Sequence, residues 1–263
     1  MQKRLKSILF FLILFSLFIS KGNSAEILIN EKGEWERLIS GLEYRIIKIT
    51  AEKGPSDIFS LRVNPKKLDI RILDSRDYGQ KRLTVKTMAM NAGAIAVING
   101  GFFDTDDNHL GLLIRDGKVV SPYKKRDWGI FMMKDGKPYI IHSRKYDQSK
   151  EITQAMQVGP RLISRGRIMK LKRQFSRRSA VGIDDKGWIV FLVSGKTVDG
   201  GVMSLLELAE LMGLPEAKGG LGCKYALNLD GGASTQLYMK INNFRRDLPG
   251  GWAVSNGIGV FLK

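Results

Sequence analysis

Two segments of the chain place polar side chains beside paired glycines, a combination that can bind or transform a ligand. In the first segment, the apolar residues 94–98 lead into Asn99, Gly100 and Gly101, and Asp104 follows. The glycines let the backbone approach a ligand closely, and their N–H groups can form a concave site for an anion. The same residues are equally well explained by a tight turn after a strand, with the adjacent phenylalanines packed in the core.

The second segment repeats this plan later in the chain. An apolar run ends at Asn228, and Asp230, Gly231, Gly232 and Ser234 follow it. A carboxylate in this position can activate a water molecule or stabilise a developing positive charge. It can also simply cap a turn between two strands. Because the pattern occurs twice in one chain, we favour a functional role over turn chemistry.

Two arginines stand beside small or rigid residues at the edges of predicted strands. Arg161 follows a glycine and a proline, and Arg178 precedes the run Ser-Ala-Val-Gly. A guanidinium binds phosphate through two parallel hydrogen bonds, and small neighbours leave room for the ligand. The alternative for either arginine is ordinary surface charge.

Several other chemistries are excluded by composition. A single cysteine, Cys223, rules out an internal disulfide, a cysteine-based zinc site and an iron–sulfur cluster. His109 and His142 lack the spacing of metal ligands, so we predict no metal centre and no cofactor. Residues 104–108 imitate the start of a calcium loop, but Arg115 stands where an EF-hand needs glutamate. A looser calcium site stays open.

The first 25 residues have the composition of a secretory signal. Basic residues precede the uncharged, apolar residues 8–19, and small residues follow at positions 22, 24 and 25. The apolar run is shorter than the ~20 residues that a bilayer span requires. We therefore predict a signal peptide over residues 1–25, cleaved near residues 22–25, and a periplasmic or secreted protein. The alternative is an uncleaved N-terminal anchor, the one link to a membrane that we consider.

The chain is strongly basic. Its 263 residues include 43 Lys and Arg against 26 Asp and Glu, a formal net charge of +17, of which +13 remains without residues 1–25. An exported basic protein meets anionic glycans and envelope polymers, and the sequence contains no nucleic-acid-binding motif. The densest basic stretch, residues 165–178, is too polar for the core. We predict that it forms an exposed excursion between strands.

Hydrophobic patterning predicts the elements that must position these residues. Asp-Gly turns at 116–117 and 135–136 indicate two hairpins, and a third is expected over residues 180–193. Further strands are predicted over residues 44–51, 58–63, 68–73, 158–163, 225–229, 235–239 and 258–262.

Two helices complete the predicted domain. Residues 84–93 have one apolar face and a terminal glycine, and residues 204–213 begin with a capping box. The fold class is α+β, a single domain on a mixed, largely antiparallel β-sheet with a few helices. After the signal peptide we distinguish a strand-rich N-terminal portion, residues 26–75, from the main domain, residues 76–263.

The order of short blocks along residues 84–262 resembles the phosphodiester glycosidase family. The blocks read INGGFFD, DGK with SP, VGPRLI, RRSAVGID with FLVSG, LNLDGGAST and SNGIGVF. Each block alone is weak evidence for the family, but several blocks in the same order are specific to it. One departure is Ala233, which stands where the family usually has a third glycine.

The resemblance implies an exported hydrolase that cleaves a sugar-1-phosphodiester between the anomeric carbon and a phosphate oxygen. Arg161 and Arg178 would then hold the phosphate, and Asp230, with Asp104 as the second candidate, would serve as the catalytic carboxylate. The remaining candidates would line the pocket and bind substrate: Asn99, Gly100, Gly101, Asn228, Gly231, Gly232 and Ser234.

Two other functions fit the same residues. A non-catalytic binder of anionic envelope glycans would use the basic stretch and the pocket without needing carboxylates. A phosphodiesterase cutting the other P–O bond would release a sugar phosphate. We favour the glycosidase because both arginines and both carboxylates are present.

Overall fold

The computed structural model describes residues 27–195 and 201–263. The predicted signal peptide and its cleavage site therefore lie outside the described residues. Within the described ranges, neither helix is long and apolar enough to cross a bilayer.

The described chain is a mixed α+β fold in which strands predominate. The helices are α1 (Val85–Ala92) and α2 (Leu205–Gly213). The strands are β1 (Leu28–Glu31), β2 (Glu36–Ile39), β3 (Leu42–Ala51), β4 (Gly54–Val63), β5 (Leu68–Asp74), β6 (Ala96–Asn99), β7 (Leu113–Arg115), β8 (Lys118–Ser121), β9 (Gly129–Lys134), β10 (Lys137–His142), β11 (Ile152–Val158), β12 (Arg161–Ser164), β13 (Arg167–Ile168), β14 (Phe175–Ser176), β15 (Ser179–Ile183), β16 (Ile189–Ser194), β17 (Met203–Ser204), β18 (Tyr225–Asn228), β19 (Leu237–Ile241), β20 (Phe244–Leu248) and β21 (Asn256–Leu262).

The strands form one large sheet and three smaller ones. The large sheet has nine strands in the order β1-β3-β4-β16-β15-β18-β12-β13, with β2 paired to β3. Two five-stranded sheets have the orders β10-β9-β11-β7-β8 and β20-β19-β6-β21-β5, and β14 pairs with β17. The strands of residues 26–75 enter the same sheets as later residues, since β4 pairs with β16 and β5 with β21.

The large sheet is buried on both faces, which explains its continuous apolar strands. Along β16, Ile189, Phe191 and Val193 belong to the cluster shared with the five-stranded sheets. The alternating residues Val190 and Leu192 instead join the cluster that contains α2. Because side chains alternate across a strand, a sheet covered on both faces needs apolar residues at every position.

The local signals in the sequence are confirmed. Helix α1 lies within the predicted residues 84–93, with Thr84 as its N-cap and Gly93 as its C-cap, and α2 has the reciprocal hydrogen bonds of a capping box between Ser204 and Glu207. The predicted hairpins form between β7 and β8, β9 and β10, and β15 and β16. Both Asp-Gly turns have positive φ at each residue, as a tight hairpin turn requires.

One predicted strand is wrong. Residues 158–163 do not continue as a single strand, because Gly159 and Pro160 separate the end of β11 from the start of β12. Proline has no N–H to donate to a sheet, so it favours an interruption at this point. The interruption matters because Gly159 and Pro160 line a cleft in the surface.

Candidate active site

A cleft of about 660 Å³ opens where β18 ends, beside the turn that precedes β12. Its lining includes residues predicted from the second glycine segment and from the basic stretch: Arg178, Asn228, Asp230, Gly231 and Gly232. The sheet brings these residues together because β15, which follows Arg178, pairs with β18, which ends at Asn228.

Asp230 is the carboxylate that the structure places in this cleft from the predicted set. It follows β18, and its Oδ1 accepts a hydrogen bond from the N–H of Gly231 at 2.9 Å. The side chain of Ser234 also hydrogen-bonds to the carboxylate. Burial raises the pKa of Asp230 above its usual value, and the two hydrogen bonds only partly oppose this shift. A carboxylate of raised pKa lining a cleft is a candidate for catalysis.

Arg178 brings a buried positive charge to the same cleft. The residue is only 5% exposed, and its guanidinium donates hydrogen bonds to the backbone carbonyls of Met203 and Gln174. Burial lowers the pKa of Arg178 to about 10, so the group stays charged at neutral pH. Among the described residues, no carboxylate forms an ion pair with it. A buried cation held only by neutral groups is strongly favourable to an incoming anion.

Asn228 offers an acceptor whose orientation is fixed. Its Nδ2 donates to the carbonyl of Gly159 at 3.0 Å and to that of Leu229 at 2.6 Å. Those two acceptors determine which atom of the amide is nitrogen. The opposite atom, Oδ1, is buried and has no hydrogen-bond partner among the described residues. A buried acceptor without a partner costs free energy, so the site favours a ligand that brings a donor.

The first glycine segment has a supporting role instead of lining the cleft. Asn99 is fully buried, and its Nδ2 donates to the backbone carbonyl of Asp230 at 2.7 Å. The carbonyl of Gly100 accepts the N–H of Asp230 at 3.0 Å. Asn99 and Gly100 therefore position the backbone of the cleft carboxylate from behind.

The predicted anion site at Gly100 and Gly101 is not formed. Their N–H groups donate to the backbone carbonyl and to the side-chain Oδ1 of Asn256, at 3.1 and 2.7 Å. A Cβ atom on Gly100 would lie 2.2 Å from that Oδ1. The glycines are needed for close packing against Asn256, and their donors are not free for a ligand.

Asp104 does not line the cleft, contrary to the expectation that it joins Asp230 there. Its Oδ1 accepts the backbone N–H groups of Asp106 and Asn108 at 3.0 and 2.9 Å. These hydrogen bonds, that of Asn108 foremost, hold the pKa of Asp104 below its usual value. The side chain caps its own turn. Among the described residues, no cluster of three or more His, Cys, Asp or Glu suited to a metal occurs there or elsewhere.

Arg161 lies at the margin of the cleft. The structure does not place it among the residues that line the cleft. Its Nη2 lies 3.8 Å from Oδ1 of Asp127, a cleft residue that no sequence pattern singles out. Ser234 likewise acts on Asp230 without itself lining the cleft.

These blocks of sequence and this architecture can be compared with known proteins. A model of the phosphodiester glycosidase family matches residues 92–261. The chain belongs to this family. Among curated protein sequences no match is found.

Solved structures share the fold of this phosphodiester glycosidase family member. The catalytic domain of zebrafish N-acetylglucosamine-1-phosphodiester alpha-N-acetylglucosaminidase, auto-inhibited by its pro-peptide, superposes with a TM-score of 0.67 at 20% identity, covering 91% of this chain and 89% of that one. A Synechocystis protein gives 0.60 at 18% identity, covering 88% and 64%. A Burkholderia pseudomallei protein described as exported gives 0.60 at 13% identity, covering 79% and 74%.

The cleft of this family member also contains residues outside the predicted set of site residues. Trp128 and Phe102 pack edge to face with ring centroids 5.2 Å apart, and both line the cleft. Lys170 and Lys172 line it from the basic stretch. The charge of that stretch is visible in the sequence, but its position beside Asp230 depends on the fold.

Proposed function

We propose that the protein is an exported hydrolase that cleaves a sugar-1-phosphodiester at the bond between the anomeric carbon and a phosphate oxygen. The observation that carries this proposal is the presence of Asp230 and Arg178 in one cleft. One is a partly buried carboxylate, and the other is a buried cation for which the described residues provide no ionic partner. The family acts on sugar phosphodiesters, and this pair supplies the two charges that such a reaction needs.

The phosphate would bind on the cationic side of the cleft. Arg178 donates hydrogen bonds to carbonyls with Nε and Nη2, while Nη1 lies 4.0 Å from the position of a Cβ on Gly231. A Cβ on Gly231 would lie 2.7 Å from the carbonyl oxygen of Arg177, so the backbone packs closely beside this guanidinium only because the residue is glycine. Lys170 and Lys172 add positive charge from the basic stretch. Cations at this position stabilise the negative charge that develops on the leaving phosphate.

The sugar would bind between the aromatic residues and the carboxylate. Trp128 and Phe102 offer an apolar wall against which the ring can pack. The free Oδ1 of Asn228 accepts a hydrogen bond from a hydroxyl or amide N–H of the sugar. Asp230 then stabilises the positive charge that develops at the anomeric carbon.

The reaction is a hydrolysis whose bonds are easily stated. A water oxygen forms a bond to the anomeric carbon, and the bond from that carbon to the phosphate oxygen breaks. The electron pair of the broken bond stays on the phosphate, so the products are the free sugar and a phosphate monoester. We propose that no metal or other cofactor takes part, because Arg178 and the two lysines already supply positive charge at the phosphate. Activity unchanged by EDTA would support this, and its loss would reopen the calcium site.

The zebrafish relative's name provides the first substrate to test, an N-acetylglucosamine-1-phosphodiester. We expect the purified protein to release the sugar from a synthetic diester of this kind. Asp230→Asn should lower kcat by about 10³-fold or more, the scale seen when a catalytic charge is removed. Equal sugar release by the wild-type protein and Asp230→Asn would reject the assignment.

A non-catalytic binder of anionic glycans is the second candidate, favoured by the position of Lys170 and Lys172 in the cleft. It predicts salt-dependent binding of a polyanionic glycan that survives Asp230→Asn and weakens in the Lys170→Gln/Lys172→Gln double variant. Binding of this kind without sugar release from any diester would favour the binder over the hydrolase.

Export is proposed on the composition of residues 1–25 and on the description of the Burkholderia relative as exported. Expression with the native N-terminus and intact-mass measurement of the protein recovered outside the cytoplasm test it. A mass lacking about the first 22–25 residues is expected. A full-length, membrane-bound product would instead indicate an uncleaved anchor.

A further inference from the structure

A second carboxylate, Asp127, lines the same cleft as Asp230. Asp127 lies on the loop that precedes β9, and its side chain is 77% exposed. It enters the cleft from a different sheet than Asp230, since β9 belongs to a five-stranded sheet and β18 to the large one. The two carboxylates therefore face one space from separate parts of the fold.

Asp127 is held by a histidine whose proton position can be assigned. His142, at the end of β10, places Nε2 at 2.9 Å from Oδ1 of Asp127. Its Nδ1 accepts the backbone N–H of Arg144 at 2.9 Å, so the ring proton resides on Nε2. Burial, assisted by the charge of Arg161, lowers the pKa of His142. With its proton on Nε2, the ring donates a hydrogen bond to Asp127.

The contacts leave one oxygen of Asp127 available. Both His142 Nε2 and Arg161 Nη2 approach Oδ1, at 2.9 and 3.8 Å. Among the described residues, no donor forms a hydrogen bond to Oδ2. A carboxylate fixed through one oxygen, with the other open to a cleft, has the arrangement of a general base.

We propose, resting on the function proposed above, that Asp127 is the general base of the hydrolysis and that His142 is its positioning residue. Oδ2 of Asp127 takes a proton from the attacking water as the water oxygen bonds to the anomeric carbon. The electron pair of the carbon–oxygen bond leaves with the phosphate monoester, and Asp127 then releases the proton to solvent. Asp230 stabilises the carbon centre and transfers no proton.

The different roles proposed for Asp127 and Asp230 follow from their different environments. Asp230 lies against the Gly231 N–H and Ser234, which fix its carboxylate in a partly buried position. Asp127 is open to solvent, from which both the attacking water and the released proton exchange. Two carboxylates in contrasting environments commonly divide their roles in this way.

The test measures steady-state hydrolysis of the synthetic diester by the full chain. Asp127→Ala should lower kcat by about 10²-fold or more with KM changed by less than about threefold, the scale of general-base catalysis. Added formate should raise the kcat of Asp127→Ala at least about tenfold, since it supplies a carboxylate to the vacated space. His142→Ala should lower kcat in the same direction, while His142→Gln, which keeps a donor, should retain more activity.

The matched control is Asp69→Asn, because Asp69 is also an exposed, ion-paired carboxylate but lies on β5 away from the cleft. Asp69→Asn should have the kcat and KM of the wild-type protein. If Asp127→Ala keeps kcat within about threefold, or if its loss appears only in KM, or if formate restores nothing, the inference is wrong although the proposed function stands. If the wild-type protein itself cleaves no diester, both are rejected.

Discussion

The two glycine segments share a sequence plan but not a role. In both, a buried strand ends in an asparagine and two glycines follow within a few residues. Asn228 and the glycines after Asp230 line the cleft, whereas Asn99 and Gly100 lie behind it and hold the Asp230 backbone. The chain places one motif at the cleft and the other behind it.

The difference lies in what faces each segment. The N–H groups of Gly100 and Gly101 meet Asn256, and Met156 packs against Gly100. The carboxylate of Asp230 instead meets open space bordered by Arg178. Glycine after a strand permits close approach of another group, but the tertiary structure decides whether that group is protein or ligand.

The largest effect that sharpens this comparison is expected at Arg178, on the cleft side. Arg178→Lys keeps the charge but removes the planar fork, so kcat/KM should fall by about 10²-fold. Inorganic phosphate should raise the Tm of the wild-type protein and shift that of Arg178→Lys less. Unchanged kcat/KM in Arg178→Lys would place the phosphate elsewhere.

On the supporting side, Gly100→Ala should act on stability. Its new Cβ would lie 2.2 Å from Asn256 Oδ1 and 2.7 Å from Met156 Cε. We expect the free energy of unfolding to fall by about 2 to 3 kcal/mol, the cost of overpacking a tight interior. Urea unfolding measures this change. If Gly100→Ala unfolded at the same urea midpoint as the wild-type protein, the two segments would not differ in packing as described.

The ionisation of Asp230 should leave a smaller, pH-dependent mark on stability. Burial raises its pKa in the folded state above the ordinary value of 3.8, so ionisation costs folding free energy. The cost is absent below pH 3.8, where both states are protonated, and grows as pH rises through the interval up to the folded pKa. Asp230→Asn should therefore have a higher Tm than wild type at pH 7, with the difference vanishing near pH 3. A lower Tm of Asp230→Asn than of the wild-type protein at pH 7 would contradict a raised pKa of Asp230 in the folded state.

The smallest effect is expected at Asp104. Asp104→Ala removes the acceptor for the N–H groups of Asp106 and Asn108, so stability should fall by about 1 kcal/mol. The kcat of the folded protein should stay within about twofold of wild type. A large loss of kcat at normal KM would indicate that Asp104 takes part in catalysis. The two glycine segments would then not differ in role as described.

Local features of the fold were predictable because their causes are local. The capping box of α2 and the Asp-Gly hairpins depend on residues within a few positions of one another. The resemblance to the family rests on blocks that can be read in order, and the family match over residues 92–261 confirms it.

The assembly of the site was less predictable because its parts are distant in sequence. Asp127 and Asp230 meet at one cleft only through the packing of two sheets, and no pattern around residue 127 indicates it. Asp104 stands in a segment that resembles the proposed site around Asp230, yet its carboxylate accepts hydrogen bonds from its own turn. Residue type alone could not distinguish these outcomes.

The most direct test of the central claim is hydrolysis of the N-acetylglucosamine-1-phosphodiester in ¹⁸O-labelled water, with both products identified by mass. Attack at the anomeric carbon predicts one ¹⁸O in the released sugar and none in the phosphate monoester. Because a free sugar exchanges its anomeric oxygen slowly with water, the unlabelled phosphate monoester is the decisive signal. Label in the phosphate, or release of a sugar phosphate, would contradict a glycosidase and assign the cleavage to a P–O bond.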